Sequence, residues 1–224
     1  MNPPRSARTP KRGPRAAGEP LGGAGLARLL QAGELAIAAE QLAAGSVVGI
    51  PTDTVYGLAA SIEHPAAVSL LFELKGRPGE LAIPVLVAGI GQLDVLVADW
   101  PPIAARLGER FWPGPLTLVV PARESIARLI GGDGATVGVR WPRHPLVEQL
   151  CLSVAPLAVT SANLHGEPPC TDAAAVAAGF AVGAVLDGGR CGGRPSTVVD
   201  CTGAVPRCLR EGDLSFADLQ AALG

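Results

Sequence analysis

The chain has 224 residues, a net charge of −2, and 48% apolar, 17% charged and 4% aromatic side chains, which suits one large domain or two small ones and is too apolar for general disorder. Its 29 glycines and 21 prolines follow no period, which excludes collagen-like and repeat architectures. The longest stretch free of charged side chains, Gln149 to Gly166, contains Pro156, Ser161, Asn163 and His165 and is no membrane helix.

Residues 1–24 read as a disordered, Pro- and Arg-rich tail. The first twenty residues carry Arg5, Arg8, Lys11, Arg12 and Arg15 against Glu19, which leaves −6 on the remainder. The tail lacks the apolar core of a secretory signal. A basic tail is either a solvated extension or a contact for nucleic acid.

The folded domain is then 25–224. The apolar spacing of Leu26, Leu29, Leu30, Ile37 and Leu42 predicts an amphipathic helix over Leu26–Ala44, stopped by Gly45. A short apolar strand, Val47–Ile50, ends at Pro51. Helices follow at Pro65–Leu74, Pro101–Phe111, Ser125–Ile130, Pro145–Leu152 and Ala173–Ala178. Strands are predicted at Val85–Val87, Leu116–Val120, Thr136–Arg140, Leu157–Thr160 and Ala184–Leu186. Two final strands, Thr197–Asp200 and Arg207–Arg210, precede a helix from Phe216 to Leu223 capped by Ser215. Strands alternating with helices imply an α/β domain around one twisted sheet, mixed because the last strands lack crossover helices.

The common nucleotide and metal motifs are missing. There is no Gly-Lys pair for a Walker A loop, no GxGxxG after a strand and no HExxH. Three histidines and five cysteines without a CxxC pair support neither a zinc site nor a disulfide framework, so buried free thiols are expected.

Five segments could instead carry ligand chemistry. Pro51-Thr52-Asp53-Thr54-Val55-Tyr56-Gly57-Leu58 follows a strand, with two hydroxyls two residues apart; a local Thr/Asp turn is its plain alternative. Lys75-Gly76-Arg77-Pro78 sets two cations around a glycine, fit for an anion or for a solvated turn. Thr136, Gly138 and Arg140 share one strand face, and Arg140 binds either a carboxylate or a surface acid. Val159-Thr160-Ser161-Ala162-Asn163 ends a strand with short polar groups. Arg194-Pro195-Ser196-Thr197 and Arg210 complete the set. Lys75 is the one lysine outside the tail, and Tyr56 the one tyrosine of the chain.

In register, PTDTVYGL, KGRP, FWPGPLTLV, TVGVRWPRHP, VTSANLHGEPP, STVVD and LREGDLS resemble the YrdC-like threonylcarbamoyl-adenylate synthases, from about residue 26 to 223. The length is similar to the short bacterial form, and PVLV at 84–87 to its actinobacterial variety. The resemblance implies a single YrdC-like domain with a concave ligand cleft. It also implies a nucleotidyltransferase reaction: L-threonine, bicarbonate and ATP give threonylcarbamoyl-AMP and pyrophosphate, with Mg2+ accompanying ATP. A partner transferase would complete tRNA N6-threonylcarbamoyladenosine, in the cytoplasm.

By the same resemblance, Thr54, Arg140, Val159 (through its backbone) and Ser196 are expected at threonine. Lys75, Arg77, Thr136, Ser161, Asn163 and Arg210 are expected at ATP, with Lys75 and Arg77 as the cations of catalysis. The chain departs from the family where a histidine beside threonine becomes Ala88, an ATP-contacting serine becomes Pro169, and LRPG becomes Leu209-Arg210-Glu211-Gly212. Two other readings stand beside it: an RNA-binding module on this fold without synthase activity, and the carbamoyl-transfer domain of hydrogenase maturation proteins.

Overall fold

The computed structural model describes residues 27–76, 81–164 and 166–223. The tail 1–24, Leu26 and Arg77 lie outside the described residues.

The strands are β1 (Arg28–Leu30), β2 (Val48–Ile50), β3 (Gly57–Ser61), β4 (Val85–Leu86), β5 (Leu116–Pro121), β6 (Thr136–Arg140), β7 (Leu157–Ser161), β8 (Ala184–Leu186), β9 (Thr197–Asp200) and β10 (Arg207–Arg210). They form one ten-stranded sheet in the order β1-β8-β2-β3-β7-β4-β6-β5-β9-β10. The sheet is mixed: β5 runs parallel to β9 and antiparallel to β6, while β2 and β4 each have one parallel and one antiparallel neighbour.

Helices α1 (Leu35–Ala43), α2 (Pro65–Lys75), α3 (Pro102–Phe111), α4 (Glu124–Ile130), α5 (Pro145–Ser153), α6 (Ala173–Gly179) and α7 (Phe216–Ala221) flank it. Their ends follow local chemistry. Proline, whose missing N–H costs nothing in a first turn, opens α2, α3 and α5. Asp172 and Ser215 cap α6 and α7 by accepting from backbone N–H groups three residues on. Gly76, at φ +58°, ends α2 in the left-handed conformation that glycine adopts without strain.

Two sequence expectations are corrected. The single helix over Leu26–Ala44 is instead strand β1, a 3-10 turn at Ala32–Glu34 and the shorter α1. Leu30 is fully buried beside Leu186 of β8, so tertiary pairing overrides the helical spacing of the leucines. Strand β3 went unseen, because Gly57-Leu58-Ala59-Ala60-Ser61 has little β-branched character. It is nonetheless buried along its whole length between β2 and β7.

The core explains where a cleft can open. At β3 and β7 both faces are covered: Leu58, Ala60 and Ala158 pack with Leu71 of α2 and Val176 of α6, while Ala59 and Leu157 pack with Leu42 of α1 and Leu150 of α5. At β5, β6 and β9 one face carries the core, with Leu116, Leu118, Val120, Val137, Val139 and Val199 against Leu107 of α3 and Ile126 of α4. The alternate residues of these strands, pointing the other way, line the cleft.

Candidate active site

The cleft has a volume of about 670 Å3. Its floor is the uncovered sheet face: Thr117 and Val119 of β5, Thr136, Gly138 and Arg140 of β6, and Val198 of β9, with Ser196 before that strand. The bend after β2 brings in Thr52 and Thr54, and the end of β7 brings in Val159, Thr160 and Ser161, with Asn163 beyond it. Leu81, Pro169, Leu209 and Arg210 also line it.

Arg140 is 6% exposed. Its Nη2 donates to Asp53 Oδ1 at 2.5 Å, Nη1 to Thr54 Oγ1 at 2.9 Å and Nε to the Gly114 carbonyl at 3.0 Å. The sequence alternative of a surface ion pair is therefore corrected: the pair with Asp53 is buried. Burial pushes the guanidinium below its ordinary pKa and the Asp53 charge opposes this, so arginine stays protonated. Three of its five N–H groups are taken by described residues, which leaves a fork's capacity for a ligand carboxylate.

The Thr52–Asp53–Thr54 segment is a bend, the local turn that its sequence offered as the plain alternative, and it nonetheless lines the cleft. Thr52 Oγ1 accepts from the N–H groups of Thr54 and Val55 and donates to the Val55 carbonyl at 2.6 Å. This is the local turn that threonine favours. Thr52 Oγ1 also lies 2.9 Å from Thr54 Oγ1. Thr54 Oγ1 accepts from Arg140 Nη1 and lines the cleft beside that guanidinium.

Lys75 is buried at the end of α2. Its ammonium donates to the Ser161 carbonyl (2.8 Å), Ser161 Oγ (2.6 Å) and Asn163 Oδ1 (2.9 Å). It thus stands behind two residues that line the cleft and ties the end of α2 to the end of β7. Asn163 is fixed from its other end, donating to the carbonyls of Leu164 and Glu167.

In the floor, Ser196 Oγ lies 2.9 Å from Thr117 Oγ1, and Arg210 Nη2 donates to the Ser196 carbonyl at 2.9 Å and to its Oγ at 3.2 Å. Thr136 Oγ1 donates to the Asp133 carboxylate. Backbone donation from Ala135 holds that carboxylate below its usual pKa. Val159 reaches the cleft with its amide donated to the Pro84 carbonyl. A Cβ on Gly57 would come within 2.5 Å of Val159 Cγ1, so only glycine lets β3 lie this close. Tyr56 is fully buried and donates to the Gly189 carbonyl at 2.9 Å, which fastens the glycine-rich loop after β8 to the threonine bend.

The structure therefore gathers Thr54, Arg140, Val159, Ser196, Thr136, Ser161, Asn163 and Arg210 around one cleft, with Lys75 behind it. The sequence reading missed Asp53, Thr117 and Asp133. Thr117 carried a signal, as a polar residue alternating with buried leucines in β5; Asp53 and Asp133 looked like ordinary turn acids. The five cysteines are free, as expected, though only Cys151 and Cys201 are buried. Among the described residues no group of three or more His, Cys, Asp or Glu side chains is placed to hold a metal ion. No helix there is long and apolar enough to cross a membrane.

The model of the Sua5/YciO/YrdC family, described as "Telomere recombination", matches residues 40–212. A threonylcarbamoyl-AMP synthase of Pyrococcus abyssi is 41% identical over 195 residues, which cover 85% of this chain and 57% of that protein. A relative from Mycobacterium tuberculosis is 41% identical over 184 residues, covering 81% of this chain and 85% of its own length. The crystal structure of P. abyssi Sua5 complexed with L-threonine superposes with a TM-score of 0.83 at 39% identity, over 88% of this chain and 60% of that one. The chain thus spans little more than half the length of its Pyrococcus relative.

Proposed function

The chain belongs to the Sua5/YciO/YrdC family, and from that membership and the geometry of its cleft we propose that it is a threonylcarbamoyl-AMP synthase. The observation that carries the reading is the buried Arg140, held in the cleft floor by Asp53, Thr54 and Gly114 with guanidinium capacity to spare. A fixed guanidinium beside a hydroxyl suits the carboxylate and amine of an amino acid.

In this reading the threonine amine attacks bicarbonate, and water leaves to give the N-carboxylate. A carbamate oxygen then attacks the α-phosphorus of ATP. The new P–O bond forms as the bond to the β-phosphate bridging oxygen breaks, and pyrophosphate leaves with that electron pair. No protein nucleophile is required. The protein positions two substrates and stabilises charge on phosphate oxygens.

Arg140, Thr54 and Ser196 hold threonine beside Val159. Thr136, Ser161, Asn163 and Arg210 face the nucleotide, and Lys75 and Arg77 neutralise its phosphates. For Lys75 this means that a phosphate oxygen replaces one of its present acceptors at Ser161 and Asn163. Mg2+ arrives with ATP as part of the substrate, coordinated by phosphate oxygens and water. The product is a mixed anhydride, so the acceptor reaction belongs to a transferase that moves the threonylcarbamoyl group to the tRNA adenosine beside the anticodon. In this reading the protein is a nucleotidyltransferase of the cytoplasm.

The test is direct. Purified protein with ATP, Mg2+, L-threonine and bicarbonate should release pyrophosphate and form a threonine-bearing adenylate, each dependent on all the substrates. Pyrophosphate release that is indifferent to threonine and bicarbonate overturns the assignment.

A further inference from the structure

The Thr117–Ser196 pair has one proton more than its surroundings use. Two hydroxyls hold two protons, and the 2.9 Å bond between them consumes one. The third group at the pair, Arg210, only donates. Whichever hydroxyl gives its proton to the other, one O–H is left directed away from the pair. Thr117 is 4% exposed and Ser196 6%, so the spare donor is buried, yet both residues line the cleft. A buried donor without an acceptor is costly, and a ligand oxygen would satisfy it.

Sheet register says where that oxygen lies. Leu118 pairs with Val139 at the end of the antiparallel β5–β6 ladder, so Thr117 and Arg140, the next residue on each strand, both face the cleft at that end. Val119 is paired with Gly138 one row further on, and Val198 lies beside Thr117 on β9. The floor next to Arg140 is therefore a polar site, Thr117 with Ser196, bordered by the apolar side chains of Val119 and Val198 and by a glycine without a side chain. Such a floor fits a β-carbon that bears one hydroxyl and one methyl, beside a carboxylate held by Arg140.

We infer that Thr117 is a specificity-determining residue that, with Ser196, reads the side-chain hydroxyl of the amino-acid substrate. This rests on the synthase reading above. A site built to hydrogen-bond a substrate hydroxyl rejects the isostere lacking it far more strongly than an apolar pocket separates homologues.

The experiment compares kcat/KM for L-threonine with that for its isostere L-valine, following threonine- or valine-dependent pyrophosphate release. Wild-type protein should prefer threonine by about 10²-fold or more. Thr117→Val, which keeps shape and removes the hydroxyl, should lower that ratio by about tenfold or more. The KM for ATP should stay within about twofold, and Thr117→Ser should retain the threonine preference. Thr117→Ala provides the same comparison if the valine variant melts early. A threonine-to-valine ratio unchanged in both Thr117→Val and Thr117→Ala, in protein that still turns threonine over, overturns the inference alone. Wild-type protein that releases no pyrophosphate with threonine, bicarbonate and ATP overturns the synthase reading and this inference with it.

Discussion

Asp53 and Arg140 form a pair in which each depends on the other. Removing one partner of a buried ion pair leaves an uncompensated charge, so Asp53→Ala should cost about 3–5 kcal/mol of stability. Chemical denaturation reads this directly, and an unchanged midpoint would mean that Thr54 and Gly114 suffice to hold the guanidinium. Arg140→Ala should raise the KM for threonine more than that for ATP; equal increases would place Arg140 elsewhere in the chemistry. Lys75→Ala should lower the rate of threonine-dependent pyrophosphate release by about 10²–10³-fold, the loss expected when a charged contact that strengthens in the transition state is removed. Near-normal turnover would reduce Lys75 to a tie between α2 and β7. The polar residues themselves were readable in the sequence, as strand-end cations and clustered hydroxyls. Their burial was not, because Asp53 and Arg140 lie 87 positions apart and meet only through the sheet.

Among the elements, the segment from Ser196 to Ser215 turns on one side chain. Thr197 is fully buried, and its Oγ1 donates to the Leu214 carbonyl at 2.5 Å and accepts from the N–H groups of Gly212 and Leu214. It thereby ties the loop after β10 to the start of β9. Gly212 packs so closely there that a Cβ would fall 2.2 Å from the Pro195 carbonyl. Thr197→Val keeps the shape and strands these partners, so it should destabilise the fold by about 2–3 kcal/mol. A thermal melt coincident with wild type would show that the loop holds without the hydroxyl. Helices whose ends carry local signals, such as Pro65 and Gly76 around α2, were legible within a residue or two. Strands β1 and β3 were not. A leucine-spaced edge strand and a Gly-Ala strand have the composition of other structures, and only their neighbours in the sheet make them strands.

Across the whole molecule, alkaline pH tests how tightly the core is closed. Desolvation by burial pushes the thiols of Cys151 and Cys201 from 9.0 up to about 12, and the Tyr56 hydroxyl from 10.0 up to about 12. The folded values lie above the unfolded ones, so the unfolded chain releases protons that the native chain keeps. The associated stability is fully present below about pH 8.5 and is lost as pH rises toward 12. Unfolding midpoints should therefore fall from pH 8.5 to 11.5. Cys151→Ala combined with Cys201→Ala should flatten that fall, and an equal fall in the double variant would assign it to other groups. What the sequence by itself determined was the α/β class, most of the elements, and the polar and cationic residue types that gather at the cleft, because periodicity, capping and turn chemistry act over a few residues. What only the tertiary structure decided was which sheet face stays uncovered, that Lys75 lies behind Ser161 and Asn163, and that Thr117 and Arg140 line the same cleft floor. Those are consequences of strand order and register, which bring together residues from distant parts of the chain, and no local pattern encodes them.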